Sequence, residues 1–305
     1  MSRLSTPLKG IVPPLVTPLK DKDSMDVEGL EKLIEHVLAG GVHGLFVLGT
    51  TGEAPSLSEK LKRELVEKVC KQVRSRVPVL VGIMNTSFTE SIKLAQYSQE
   101  CGANGVVIAP PYYFTASQPE LIEYFGHIAS EQPLPVYIYN MPGCTKVSIA
   151  PETVLKMSEN PKVAGFKDSS YNMVYFHKVR RLIRNRPDFS TFVGPCELMA
   201  ESVLLGSNGG VNGGANMFPS LYVDLYNAAA ARDIDTVLKL QSKVVDVCST
   251  VYCVGKYDSS TITGIKCVLN QMGICSDFVA RPFSGFQEQE RQAIRKILAE
   301  LKKNK

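Results

Sequence analysis

P-V-Y-I-Y-N-M-P-G-C-T-K-V-S-I-A-P-E-T-V-L-K-M-S-E-N-P-K-V-A-G-F-K-D-S-S (135–170) holds a strand, a helix and a second strand in one unbroken run. Two apolar runs, 135–140 and 163–167, flank an amphipathic stretch that opens at Pro151. Short apolar runs carrying β-branched residues belong to strands covered on both faces, as in parallel sheets. Proline suits the first helical position, where its φ is already set and its missing N–H has no partner to lose.

The same alternation extends in both directions. Strands are predicted at 11–17, 44–49, 78–83 and 105–110 before this unit, and at 190–194 and 209–213 after it. Asp26 is placed to cap a helix over 27–39 that Gly40 and Gly41 end. Ser58 opens another, with Leu61, Leu65 and Val69 on its apolar face. Further helices are predicted near 89–101, 118–130, 172–185, 196–205 and 219–231. Eight successive βα units with no break in composition predict an α/β chain, a closed (β/α)8 TIM barrel over residues 1–232. The glycine-rich eighth strand is the weakest of them by propensity. Beyond 232 the strand signals stop. Helical stretches near 234–252, 259–272 and 286–303 predict a C-terminal helical extension, 233–305, packed on the barrel without a Pro/Gly linker.

The chain has 305 residues, 44% hydrophobic and 21% charged, an ordinary globular composition with ample material for a core. Its net charge of +4 is small, and the only basic cluster is the terminal K-K-N-K, read as a solvated helix end, so nucleic-acid binding is not expected. No apolar stretch approaches membrane-spanning length, and the opening M-S-R-L-S-T-P-L-K-G has no apolar h-region. The eight cysteines contain no C-x-x-C pair and read as reduced thiols of a cytoplasmic protein. His36, His43, His127 and His177 are scattered without ligand spacing, so no metal site is expected.

In a barrel of this kind, chemistry collects at the C-terminal ends of the strands. Lys167 stands at one such end, where desolvation disfavours its charged form and makes the amine a usable nucleophile for a carbonyl carbon. The plain alternative is the first solvated residue after a strand. Other rim segments weigh against that alternative. The second strand ends in G-T-T-G-E (49–53), the fourth runs into P-P-Y-Y-F (110–114), and the fifth ends in Y-I-Y-N-M-P (137–142). A lysine that traps carbonyls needs a proton shuttle, and Tyr139 lies on the neighbouring strand. The turn from Gly49 to Gly52, with Thr50 and Thr51, offers hydroxyls and amides that can cradle a carboxylate.

Together, G-T-T-G-E, Y-x-Y-N-x-P and G-x-K-D-S resemble the dihydrodipicolinate synthase/N-acetylneuraminate lyase family of class I pyruvate-dependent aldolases, from about Gly10 to Asn216 and more loosely beyond. The resemblance implies a Schiff base between Lys167 and pyruvate, with Tyr139 and Thr50 moving protons and no metal or organic cofactor. It implies that Thr51 joins Thr50 on the pyruvate carboxylate, and that Gly49 and Val211 line the ketoacid pocket. Tyr113 is implied to enter a neighbouring subunit's site, in a homotetramer built as a dimer of dimers. The partners are small molecules, pyruvate and an aldehyde.

The second substrate is where the pattern departs. The lysine-biosynthesis synthase carries an arginine after Y-N-V-P-S to hold a carboxylate, and Cys144 stands there instead. A thiol cannot make that bidentate contact, and Lys146, two residues on, can act only as a point charge. Sialic acid lyases carry G-x-D-E, where Gly194 and Glu197 remain but Cys196 replaces the acid, and Gly213 replaces their serine after strand eight. Ser169 matches their polar residue after the lysine. K-D-S-S resembles aldolases of 2-keto-3-deoxy-sugar acids and 4-hydroxy-2-oxoacids, which sets the leading expectation. The alternatives are dihydrodipicolinate synthase, N-acetylneuraminate lyase, a keto-deoxy-sugar-acid dehydratase, and a catalytically silent ketoacid-binding protein. Cys144 and Cys196 are expected mainly as small packing residues.

Overall fold

The computed structural model describes residues 7–303. The first six residues of the opening segment and the side chains of the terminal K-K-N-K lie outside the described residues, and the solvated helix end expected there with them. The apolar runs form strands β1 (Gly10–Ile11), β2 (Leu45–Val47), β3 (Val79–Gly82) and β4 (Gly105–Ile108). They continue as β5 (Val136–Asn140), β6 (Val163–Asp168), β7 (Ser190–Val193) and β8 (Gly209–Gly210). From β2 onward each pairs in parallel with the next, and β8 pairs with β1. Between β1 and β2 the ring closes through a bridge from Pro14 to Phe46, with the Leu15 N–H donating to Phe46 O at 2.8 Å and the Phe46 N–H to Pro13 O at 3.0 Å. The result is a TIM barrel.

The first and eighth strands are cut to two residues each. Within 11–17, Pro13 and Pro14 have no N–H to donate, which reduces the ladder to that bridge. The eighth strand, expected over 209–213, pairs only at Gly209 and Gly210. A short hairpin of Leu19–Asp21 with Ser24–Met25, absent from the sequence reading, fills the first loop.

The barrel helices are α1 (Val27–Ala39), α2 (Glu59–Val73), α3 (Phe88–Glu100) and α4 (Gln118–Glu131). They are followed by α5 (Pro151–Ser158), α6 (Met173–Leu182), α7 (Met199–Leu204) and α8 (Pro219–Ala231). Asp26 accepts from the Gly29 N–H at 3.1 Å and Ser58 from the Leu61 N–H at 3.2 Å, so both predicted caps form. The extension is α9 (Ile234–Val251), α10 (Ser260–Gln271) and α11 (Glu288–Lys303).

Apolar side chains segregate into two cores, as strands covered on both faces require. The larger lies between the sheet and the helices, and includes Leu33, Leu65, Phe125 and Phe176. The smaller fills the barrel interior with Val12, Phe46, Leu80, Val107, Tyr137, Tyr139, Phe192 and Val211. The extension is tied to the barrel at polar points. The Ser276 N–H donates to Asp26 Oδ2 at 2.8 Å, so one carboxylate serves both the α1 cap and the extension. Glu53, in the turn after β2, forms a fully buried ion pair with Lys266 of α10. No helix among the described residues is long and apolar enough to cross a membrane.

Candidate active site

Tyr139 and Lys167 are register partners on β5 and β6, so their side chains point into the barrel side by side. Lys167 is only 6% exposed. Its Nζ lies 4.0 Å from the centroid of the Tyr139 ring and 5.1 Å from that of Phe46. Both rings lie within cation–π distance of the lysine head group. The Tyr139 hydroxyl meets Thr50 Oγ1 at 3.4 Å, which joins the turn after β2 to the lysine through the phenol.

Two neighbouring glycines make this approach possible. Two residues before Lys167, Gly165 faces Tyr137, whose ring lies 2.6 Å from where a Gly165 Cβ would stand. Gly49 passes beside the Phe46 ring, 2.7 Å from the corresponding point. A side chain at either position would displace an aromatic of the barrel interior.

The strand ends are locked by Asn140 and Asp168, to which the sequence motifs assign no role. Asn140 Nδ2 donates to Asp168 Oδ1 at 2.8 Å, while its Oδ1 accepts from the Ile149 N–H at 3.0 Å. Asp168 also accepts from the Ser170 hydroxyl at 2.8 Å and its N–H at 3.2 Å. Burial raises the Asp168 pKa, and these hydrogen bonds only partly oppose the rise. The lock holds β5 and β6 in register where Tyr139 and Lys167 sit.

The G-T-T-G-E turn is closed by the Glu53 N–H to Thr50 O at 3.0 Å and the Ala54 N–H to Gly49 O at 3.3 Å, bonds that do not use the Thr50 and Thr51 amides. Leu48 and Glu53 at its two ends adopt the left-handed conformation, with φ of 57° and 58°. Glu53 turns away from the rim. Its Oε1 accepts from the Ala280 N–H at 2.7 Å, and its partner Lys266 donates to Phe278 O at 2.8 Å. The acid of the motif is thus structural, a role that local sequence could not reveal because its partner is more than 200 residues away.

Val211 lies in the interior core beside Tyr139 and Phe46. Ser169 and Gly194 adjoin, for Ser169 Oγ occupies the space that a side chain at Gly194 would take. Glu197 is half-buried on the β7 side, within electrostatic reach of Tyr171 and Tyr252. Tyr113 is not brought into this cluster. It projects from the rim, 78% exposed, with its ring edge-on against Phe114 at 5.2 Å.

The two cysteines at the departures from the family pattern differ. Cys144 is exposed on a short helix, Pro142–Thr145, that no periodicity in the sequence predicts, so it is not a packing residue. Cys196 is buried. Hydrogen bonding from the Cys248 thiol lowers its pKa against the cost of burial, and Tyr222, Gly214 and Tyr252 add to that effect. Among the described residues no group of three or more His, Cys, Asp or Glu is arranged to hold a metal ion.

The model of the dihydrodipicolinate synthetase family matches residues 7–301. This chain belongs to that family. Its relatives include a 4-hydroxy-tetrahydrodipicolinate synthase of Kosmotoga olearia, 30% identical over 95% of this chain and 97% of that protein. A probable 2-dehydro-3-deoxy-D-pentonate aldolase of Escherichia coli is 32% identical over 78% of this chain and 80% of its own length. Among solved structures, the dihydrodipicolinate synthase of Bacteroides thetaiotaomicron superimposes with a TM-score of 0.95 at 56% identity, covering 97% of this chain and 99% of that one. The protein is a lyase-family enzyme on a TIM barrel.

Proposed function

We propose that this enzyme forms a Schiff base between Lys167 and pyruvate and makes or breaks the bond between pyruvate C3 and an aldehyde carbon. The observation that carries the proposal is the arrangement of Lys167 Nζ over the Tyr139 ring at 4.0 Å, with the Tyr139 hydroxyl in contact with Thr50. In the cleavage direction the lysine amine adds to the C2 carbonyl, and loss of water leaves an imine. The protonated imine accepts the electron pair released when C3–C4 breaks, forming an enamine and freeing the aldehyde. Tyr139, relayed through Thr50, removes the C4 hydroxyl proton and supplies protons to the carbinolamine. Thr50 and Thr51 hold the pyruvate carboxylate, with Gly49 and Val211 lining the ketoacid. The protein nitrogen is the electron sink, so this sequence of steps needs no cofactor.

The substrate proposed is a 2-keto-3-deoxy-sugar acid or a 4-hydroxy-2-oxoacid. Ser169, Gly194 and Glu197 border the space for its aldehyde half, and the aldolase named among the relatives acts on a compound of that class. A second reading, 4-hydroxy-tetrahydrodipicolinate synthase, is favoured by the names of several relatives. It needs a cation for the carboxylate of its aldehyde, yet Cys144 stands where that arginine is expected and Lys146 Nζ is engaged by Gly143 O at 2.7 Å. We also place the enzyme in the cytoplasm as a homotetramer, with Tyr113 completing a neighbour's site.

Borohydride reduction in the presence of pyruvate should attach the ketoacid to Lys167, as read by peptide mass spectrometry, and Lys167→Ala should abolish the adduct. Absence of the adduct from the native enzyme would sink the proposal. Pyruvate release across a panel of 2-keto-3-deoxy acids, sialic acid and 4-hydroxy-2-oxoglutarate then chooses the substrate. Turnover of pyruvate with aspartate semialdehyde instead would establish the second reading.

A further inference from the structure

Thr17, in the loop after β1, is fully buried although it carries a hydroxyl. Its Oγ1 donates to Gly52 O at 2.7 Å, across 35 positions of sequence. The two loops meet backbone to backbone here, because a Cβ on Gly52 would stand 2.9 Å from Leu15 O. The loop after β1 is itself pinned by Asn216. The Asn216 Oδ1 accepts from the Val16 N–H at 3.1 Å, and its Nδ2 donates to Pro14 O at 2.9 Å. Thr17 thus brings a fixed donor to the turn that contains Thr50 and Thr51.

The bonds inside the turn show what that donor does. Gly49 O accepts from the Ala54 N–H, and Thr50 O from the Glu53 N–H. These peptides are trans, so the C=O and N–H of each point in opposite directions. The N–H groups of Thr50 and Thr51 therefore point away from those bonds, as two successive donors of the kind that cradle an anion. The Gly52–Glu53 peptide is engaged on both sides, its C=O by Thr17 and its N–H by Thr50 O. A peptide bonded on both sides resists rotation, which fixes the turn in the form that leaves the two donors open. Without the Thr17 hydroxyl, Gly52 O would be buried with no donor, and the peptide would gain by turning elsewhere.

We propose that Thr17 is a positioning residue that acts through Gly52 to hold the Thr50 and Thr51 amides in place for the carboxylate of the ketoacid. This rests on the Schiff-base reading above and deepens it, because it separates recognition of the carboxylate from the chemistry at Lys167. Thr17 itself neither makes nor breaks a substrate bond, since its hydroxyl is committed to Gly52 O. Its loss costs affinity for a carbonyl compound that carries a carboxylate, and none for one that lacks it.

The test compares borohydride trapping of pyruvate with that of methyl pyruvate, whose ester removes the carboxylate charge and keeps the reacting carbonyl. Thr17→Val removes the hydroxyl at nearly equal volume. It should raise the pyruvate concentration for half-maximal trapping by about tenfold, the loss of one hydrogen bond, with the rate at saturation near native. The concentration needed for methyl pyruvate should not change. Thr17→Ser keeps the donor and should return the pyruvate value close to native. If Thr17→Val does not fold, Thr17→Ala removes the same hydroxyl and is read in the same way. Equal increases for the two compounds would mean that Thr17 supports the fold alone, which overturns the inference. An unchanged pyruvate value overturns it too, as does a failure of Thr17→Ser to restore binding. A native enzyme that traps neither compound removes the parent reading, which is a separate result.

Discussion

Lys167 owes its surroundings to residues that have no chemistry of their own. Gly165 is the clearest, because its missing side chain admits the Tyr137 ring to the interior layer directly beneath the lysine. Its ideal Cβ would lie 2.6 Å from two ring carbons and 2.8 Å from Ser190 O, a backbone atom that cannot swing aside. Gly165→Ala should therefore destabilise the barrel by about 1–3 kcal/mol, the range for overpacking a filled core. A urea-unfolding midpoint equal to that of the native protein would show that the ring has another place to go. At this scale the lysine, the tyrosine and the threonines were readable from their strand-end positions. The Asn140–Asp168 pair was not, because it joins two strands and belongs to no single motif.

At the scale of elements, the alternation of apolar runs and amphipathic stretches led to all eight barrel strands and to the eight helices that follow them, with ends differing by a few residues. The caps at Asp26 and Ser58 were legible because capping is a local bond between residues three apart. The hairpin over 19–25 and the helix Pro142–Thr145 were not, since two to four residues carry too little periodicity to register. The joint between the barrel and its extension was equally hidden. Burial lowers the Lys266 pKa, and the Glu53 carboxylate opposes that shift. Removing only the cation leaves a buried, uncompensated charge. Lys266→Met should cost about 3–5 kcal/mol, and adding Glu53→Gln should recover much of it. Equal losses in the single and double variants, measured by chemical denaturation, would mean that the pair is not what couples these elements.

For the whole molecule, the most exposed aromatic surface lies in the loop after β4, where Tyr112, Tyr113 and Phe114 are 37%, 78% and 80% exposed. Rings this large are rarely left adjacent in water. Sedimentation velocity should find an oligomer, and Tyr113→Ala should lower kcat, in keeping with a role in a neighbour's site. A fully active native monomer would remove that role.

The sequence by itself determined the alternating βα architecture, the family, and the places of Lys167, Tyr139 and Thr50. Strand periodicity, caps and rim motifs are local, and a barrel converts strand ends into one site by rule. Only the tertiary structure decided how the ring closes past Pro13 and Pro14, that Glu53 is a buried anchor for the extension, and that Cys196 meets the Tyr252 hydroxyl. Those relations join residues 30 to more than 200 positions apart, and they depend on packing distances of a few ångströms that no periodicity records.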